Sequence, residues 1–239
     1  MDPNDILTKL QPLADAAYAA SIDHFAPQSP TEEGGAWTSV GVRVPVLREF
    51  EKPLFKQLQS ADDYQMMLEF TDEAFKRRIR ELAVIGIEGL VKLKRYWNRD
   101  VLSYIPKWIP QLSGWETTDL LCGGLFGNMI VQGVMTIENL IEYKNYPSVW
   151  GRRAVIVAMI LPLRKGAGDI DRCLEILADY ASSREKMIYK AVSWALREAS
   201  KKYPDRVHAF IDKHAAVLHG SVLREVRNKL DTGKKNPNK

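Results

Sequence analysis

The segment Ser113-Gly114-Trp115-Glu116-Thr117-Thr118-Asp119 holds residue types at a spacing suited to chemistry on a positively charged group. Ser113 with Glu116 three residues later predicts a capping box at a helix start, each side chain satisfying an otherwise unpaired amide of the first turn. Trp115 and Asp119 then share one helical face near the positive end of that helix. An electron-rich ring beside a carboxylate attracts a cation, and the amides at the helix start attract a phosphate, so the segment offers contacts to both charges of a damaged nucleotide. A packed indole beside a solvated acid has the same spacing, so the rest of the chain has to decide between the two.

Charge is the next witness. The formal balance of +4 hides an asymmetry: up to Phe75 there are about 13 acids against 5 bases, and after it about 17 acids against 29 bases, a balance near +12. Such an excess favours a polyanionic partner over a small acidic substrate, with a solvated basic surface as the plain alternative. Arg152 and Arg153 follow Ser148-Val149-Trp150-Gly151 at a predicted helix start, where the helix dipole disfavours cations, and a bound phosphate would resolve the mismatch. Ser182 with Glu185 repeats the capping-box spacing and places Lys186, Lys190 and Arg197 on the next helix, beside Trp194, which is either a core indole or a ligand platform.

Other chemistries find less support. Cys122 and Cys173 are isolated within apolar patterns and read as buried thiols, not as a disulfide, zinc or iron-sulfur framework. His24, His208, His214 and His219 have no metal-ligand spacing with acids or cysteines and read as surface or helix-end residues, so neither metal nor cofactor is expected. Asp2 and Asp5 stand where a signal peptide would be basic, and no apolar run reaches spanning length, which predicts a cytoplasmic, monomeric protein with no membrane partner.

The positioning elements are read as one domain over 1–232. An N-terminal capping helix within 1–25 opens at Asp2-Pro3 and runs to about His24, with Ile6, Leu7, Leu10, Leu13, Ala17 and Tyr18 at helical spacing. A long loop over 27–41 contains Trp37; a helix follows from Pro45, carries Arg48 and is expected to break or bend at Pro53. A further helix runs through Tyr64, Met67, Leu68 and Phe70, and from Asp72 onward helices alternate with turns at Asn98, Ser113, Pro147, Gly166 to Gly168, Ser182-Ser183, Pro204 and Gly220. Apolar runs follow Arg78, Asp119, Arg153, Lys190 and Arg224 at intervals of about 34 to 41 residues, the period of stacked helix pairs. The class is therefore all-α: a HEAT-like curved solenoid, with Leu120 to Ile130 and Val155 to Leu161 as inner helices. Trp115, Asp119, Arg153 and Trp194 are expected on its concave face, and the basic tail 233–239 is expected to be disordered.

Four stretches, Gly41 to Arg48, Gly114 to Asp119, Trp150 to Ala154 and Lys190 to Glu198, together resemble the AlkD-type DNA alkylation repair glycosylases in order and spacing, over most of the chain from Gly41 to about Leu230. The resemblance implies a C-shaped array of HEAT-like repeats that embraces duplex DNA and removes cationic alkylated purines, N3-methyladenine and N7-methylguanine, with the lesion largely stacked. It places the catalytic aspartate on Asp119, the lesion-side tryptophans on Trp115 and Trp194, and DNA-clamping arginines on Arg153 and Arg197. Arg43, Arg48, Arg152 and Lys190 in the matched stretches join them as DNA contacts, and Tyr18 matches a tyrosine of the N-terminal helices. Glu116 stands where the family would carry aspartate. Two other readings use the same surface: a DNA binder without glycosylase activity, and a helical-repeat scaffold for another protein.

Overall fold

The computed structural model describes residues 1–25 and 37–237, with the side chains of 22–25 outside that description. Residues 26–36 of the expected loop, 238–239 of the expected tail and the His24 side chain therefore lie outside the described residues. The described residues form thirteen α-helices with intervening 3-10 turns, and the only β pairing among them is an isolated bridge between Thr38 and Ile79. The fold is all-α, and the chain divides into two compact units, Met1–Leu125 and Phe126–Lys239.

The first unit opens with two helices where one was expected. Helix α1 (Pro3–Leu10) is capped by Asp2, whose carboxylate accepts from the Asn4 amide at 2.9 Å, and it buries Ile6 and Leu10. A 3-10 turn over Gln11–Leu13 follows, Ala14 is extended, and Asp15 starts α2 (Ala16–Phe25) by accepting from the Tyr18 amide at 2.9 Å. The break has a local cause: Pro12 has no amide to continue α1, and Asp15 offers a better start two residues after the turn. Pro53 does not end its helix, because α3 (Val44–Lys56) continues through it. Proline there forfeits one bond to the carbonyl of the exposed Glu49, which water can satisfy, and only one further turn remains.

Helices α4 (Ala61–Arg77) and α5 (Arg80–Lys92) pack closely, separated by Arg78 in the left-handed region at φ 53°. A β-carbon at Gly86 would lie 2.5 Å from Thr71 Oγ1, so only glycine lets the two backbones come this close. Phe75 sits between Trp37, edge-on at 5.1 Å, and Trp108, stacked at 5.6 Å, and these rings form an aromatic core under α4. The Trp37 indole donates to the Gln111 carbonyl at 2.6 Å, which ties the end of the expected loop to the short helices α6 (Ile105–Trp108) and α7 (Trp115–Thr118). A wide π-helical stretch over Asp119–Phe126 follows and runs into α8 (Gly127–Val131).

In the second unit α9 (Val149–Lys165), α11 (Lys186–Ala199) and α13 (Gly220–Thr232) pack side by side as one row. The second row contains α10 (Ile170–Asp179), against α9, and α12 (Pro204–Lys213), against α11 and α13. Helix α9 is buried from Ala154 to Leu163, as its unbroken apolar run requires. Both cysteines are buried; burial pushes the Cys173 thiol up to about 12.

The repeat shows itself in the polar bonds. Glu138 pairs with Arg172, 34 residues on, Lys144 with Asp179 at 35 and Arg152 with Glu185 at 33. The first unit has the same interval: Trp108 donates to Asp72 across 36 residues and Arg80 to Glu116 across 36. Within each unit these bonds recur at nearly one interval, the expected signature of stacked helix pairs.

Candidate functional site

A buried charge network positions the Trp115 to Asp119 segment. Arg80 (4% exposed) grips Glu116 with two parallel bonds, Nε to Oε2 at 2.6 Å and Nη2 to Oε1 at 2.7 Å. Glu81 (0% exposed) lies 3.3 Å from Arg80 Nη1 and accepts from the amides of Val40, Gly41 and Val42 at 2.9 to 3.2 Å and from the Ser39 hydroxyl at 2.6 Å. Burial opposes the charge of Arg80, but the hydrogen bonds and charge of Glu116, with Glu81, outweigh it and hold the guanidinium above its ordinary pKa. The network thus ties the stretch 39–42 and the start of α5 to α7.

This arrangement corrects the expected capping box. Gly114 is the N-cap of α7, no side chain caps it, and Glu116 turns to Arg80. A bidentate charge-assisted pair in a buried setting outcompetes one neutral cap bond, and glutamate has the reach that aspartate lacks. Thr118 closes the turn by donating to the Gly114 carbonyl at 2.7 Å. Trp115 is 37% exposed, and half-buried Asp119 follows one turn later, its amide donating to the carbonyls of Trp115 and Glu116. A partly exposed indole thus stands one turn from a carboxylate in a segment fixed by buried bonds.

Two further candidates meet in the same unit. The Arg43 guanidinium donates to Asp15 at 2.9 Å and lies 4.9 Å over the Tyr18 ring. The Tyr18 amide and Arg43 hold the Asp15 carboxyl below the usual range. Gly41, at φ +91°, lets this corner form, since a β-carbon there would lie 2.8 Å from that of Ala19. Arg48 is exposed on α3.

The second unit holds the remaining candidates. Arg153 (6% exposed) donates to the Met187 carbonyl at 2.7 Å, joining α9 to the first turn of α11. Arg152 donates to the carbonyls of Tyr146 and Pro147 and grips both oxygens of Glu185, each at 2.7 Å. These partners supply the negative charge for which a phosphate was expected at the start of α9. They also displace the second expected capping box, because Glu185 is itself the N-cap residue of α11 with no side-chain cap bond. Along α11, Lys186 and Lys190 are exposed and Trp194 is half-buried at successive helical turns. Arg197 is drawn inward: its Nε lies 3.3 Å from Ser193 Oγ and 3.7 Å from Glu225 Oε2, and burial lowers its pKa despite Glu225 and Glu198. His219 caps α13 by accepting from the Ser221 amide and stacks on Tyr189 at 4.0 Å.

A sequence model of the DNA alkylation repair enzymes matches residues 6–230. The chain belongs to the DNA alkylation repair enzyme family. Among the solved structures similar to it is one described as a predicted DNA alkylation repair enzyme from Enterococcus faecalis, with 18% identity and a TM-score of 0.71, covering 92% of this chain and 97% of that one. At that identity the likeness concerns the fold. Among curated proteins none matches. Membership gives the chain a role in the repair of alkylated DNA, and the residues that sequence reasoning missed, Arg80 and Glu81, belong to the framework around its most exposed indole.

Proposed function

We propose that this family member is a DNA glycosylase that hydrolyses the N-glycosidic bond of N3-methyladenine and N7-methylguanine in duplex DNA. An alkylated purine already carries positive charge and leaves readily, so the reaction needs no general acid and no metal or cofactor. It needs a negative charge to stabilise the oxocarbenium-like sugar and to orient a water, and Asp119 takes that role. Trp115 and Trp194 press on the sugar and backbone of the lesion nucleotide, each ring favouring cationic character by about 0.5 to 2 kcal/mol. Arg153, Arg197, Lys190, Arg152, Arg43, Arg48 and Tyr18 are the proposed contacts to the rest of the duplex, with Arg152 and Arg197 exchanging part of their present carboxylate contacts for phosphate.

The observation that carries this reading is the pairing of a 37% exposed Trp115 with half-buried Asp119 on a segment braced by Arg80 and Glu116. Fixed geometry is what electrostatic stabilisation of a short-lived cation requires. Incubation with DNA methylated at purine nitrogens, followed by quantification of free bases, tests it. Release of N3-methyladenine and N7-methylguanine is expected, and tight binding without release would make the protein a non-catalytic DNA binder.

A further inference from the structure

At the opposite end of α5 from Arg80, the first unit has a groove of about 420 Å3 beside the C-terminal end of α3. Phe55, Leu58 and Leu93 line its floor, and Lys56, Lys92, Lys94 and Arg95 stand around it. No carboxylate lines it. Whereas Lys52 and Lys76 are paired with Glu49 and Asp72, Lys56, Lys92 and Lys94 make no ion pair among the described residues.

Arg95 is held in place by the fold. Arg95 Nη2 donates to the Gln59 carbonyl at 3.1 Å, and the Tyr96 hydroxyl donates to the same oxygen. Arg95 also covers the Tyr96 ring at 4.8 Å, and the Trp97 indole donates to the Leu90 carbonyl at 2.7 Å. The stretch that carries Lys94 and Arg95 is thus anchored to both walls of the groove. Helix dipoles account for Lys56 and Lys92, which lie in the last turns of α3 and α5, but not for Lys94 and Arg95. The unit as a whole has 14 bases against 18 acids, so a carboxylate-free groove of four cations runs against its composition. Gathering like charges costs energy that an anionic ligand returns.

We propose that this groove is a second phosphate-binding site, which holds the backbone of the bound duplex several base pairs from the damaged nucleotide; this rests on the glycosylase reading above. The 13 residues of α5 separate it from the Arg80 brace by about 18 Å, which for a duplex running along α5, as the proposal requires, is about five base pairs of B-form DNA.

The test compares wild type with a Lys56→Gln/Lys92→Gln/Lys94→Gln variant on two duplexes centred on a non-hydrolysable N7-methylguanine analogue, one of about 25 base pairs and one of about 9, which ends short of the groove. The three side chains are exposed, and a melting curve checks the fold; Lys94→Glu alone is the second variant should the triple one melt early. On the long duplex the triple variant is expected to lose affinity by on the order of tenfold or more and to flatten the salt dependence by about 2 to 3 in slope. On the short duplex the two proteins are expected to bind alike. Unchanged affinity and slope on the long duplex would overturn the proposal, and so would equal losses on both. Loss of inorganic pyrophosphate binding with DNA binding intact would assign the groove to a small phosphate ligand and overturn it as well. If wild type itself shows no salt-dependent binding to either duplex, the glycosylase reading fails first.

Discussion

In the first unit the decisive charges are buried and paired with each other, Arg80 with Glu116 and Glu81, and they hold a segment that presents Trp115 and Asp119. In the second unit, which carries the excess of bases, Arg152 and Arg197 lie nearer the surface and spend their donors on Glu185, Glu225 and backbone carbonyls, while Lys186 and Lys190 stand exposed. Net charge therefore overstates what is immediately offered to a polyanion, and a small charge cluster in the acid-rich unit does more to fix geometry than the larger excess elsewhere. Buried pairs are costly to break because each partner left behind is an uncompensated ion, whereas half-exposed pairs exchange partners at little cost.

Arg80→Ala breaks the first side of that comparison most severely. It leaves Glu116 and fully buried Glu81 without their cation and is expected to destabilise the fold by about 3 to 5 kcal/mol in denaturant titrations. Arg152→Ala, which removes a comparable two-oxygen grip in the second unit, is expected to cost about 1 kcal/mol. Equal losses would erase the contrast.

A pH series sharpens it. Glu51, buried on α3 with Oε1 unpartnered, has its carboxyl pushed up to about 8 by burial and by the neighbouring charge of Glu88, against a smaller opposing pull from Arg48. Because the fold favours the protonated form, its stabilising contribution is full below the unfolded pKa near 4.5 and is lost as pH rises through 8. Glu51→Gln cannot ionise, so it is expected to match wild type at low pH and to exceed it by on the order of 2 kcal/mol at pH 9. A parallel loss in both proteins between these limits would place the pH-sensitive group elsewhere. The smallest effect concerns the second unit: Arg153→Ala is expected to reduce duplex affinity and to lower the salt slope by about 1, one phosphate's worth. An unchanged slope would put Arg153 off the DNA path.

Much of the fold was legible because it rests on repeated patterns. The helix through Tyr64, Met67, Leu68 and Phe70, the all-apolar stretch of α9 and the repeat interval all follow from periodicity, and the bonds between neighbouring repeats have nearly the same spacing. The capping-box failures have one physical theme, competition between a local signal and a partner one repeat away. Glu116 and Glu185 both sit three residues after a serine, and both were drawn off by an arginine, Arg80 and Arg152, at distances of 36 and 33 residues. The prolines failed for a local reason: apolar spacing carried the expected first helix past Pro12, where Asp15 caps a new one, and residue type alone predicted a break or bend at Pro53, where α3 continues. Of the candidate site, the Trp115 to Asp119 spacing was visible in the chain. The brace was not, because a single buried ion pair leaves no periodic trace.

Single-turnover excision of N7-methylguanine by Asp119→Asn, with duplex binding and a melting curve on the same preparation, tests the central claim most directly. The substitution keeps size and most hydrogen bonding but removes the charge proposed to stabilise the sugar cation, so excision is expected to fall by on the order of 10²-fold or more. Affinity is expected to hold or rise slightly, because a carboxylate near phosphates is repulsive. Excision at the wild-type rate, with binding and melting intact, would make Asp119 a structural residue and contradict the mechanism.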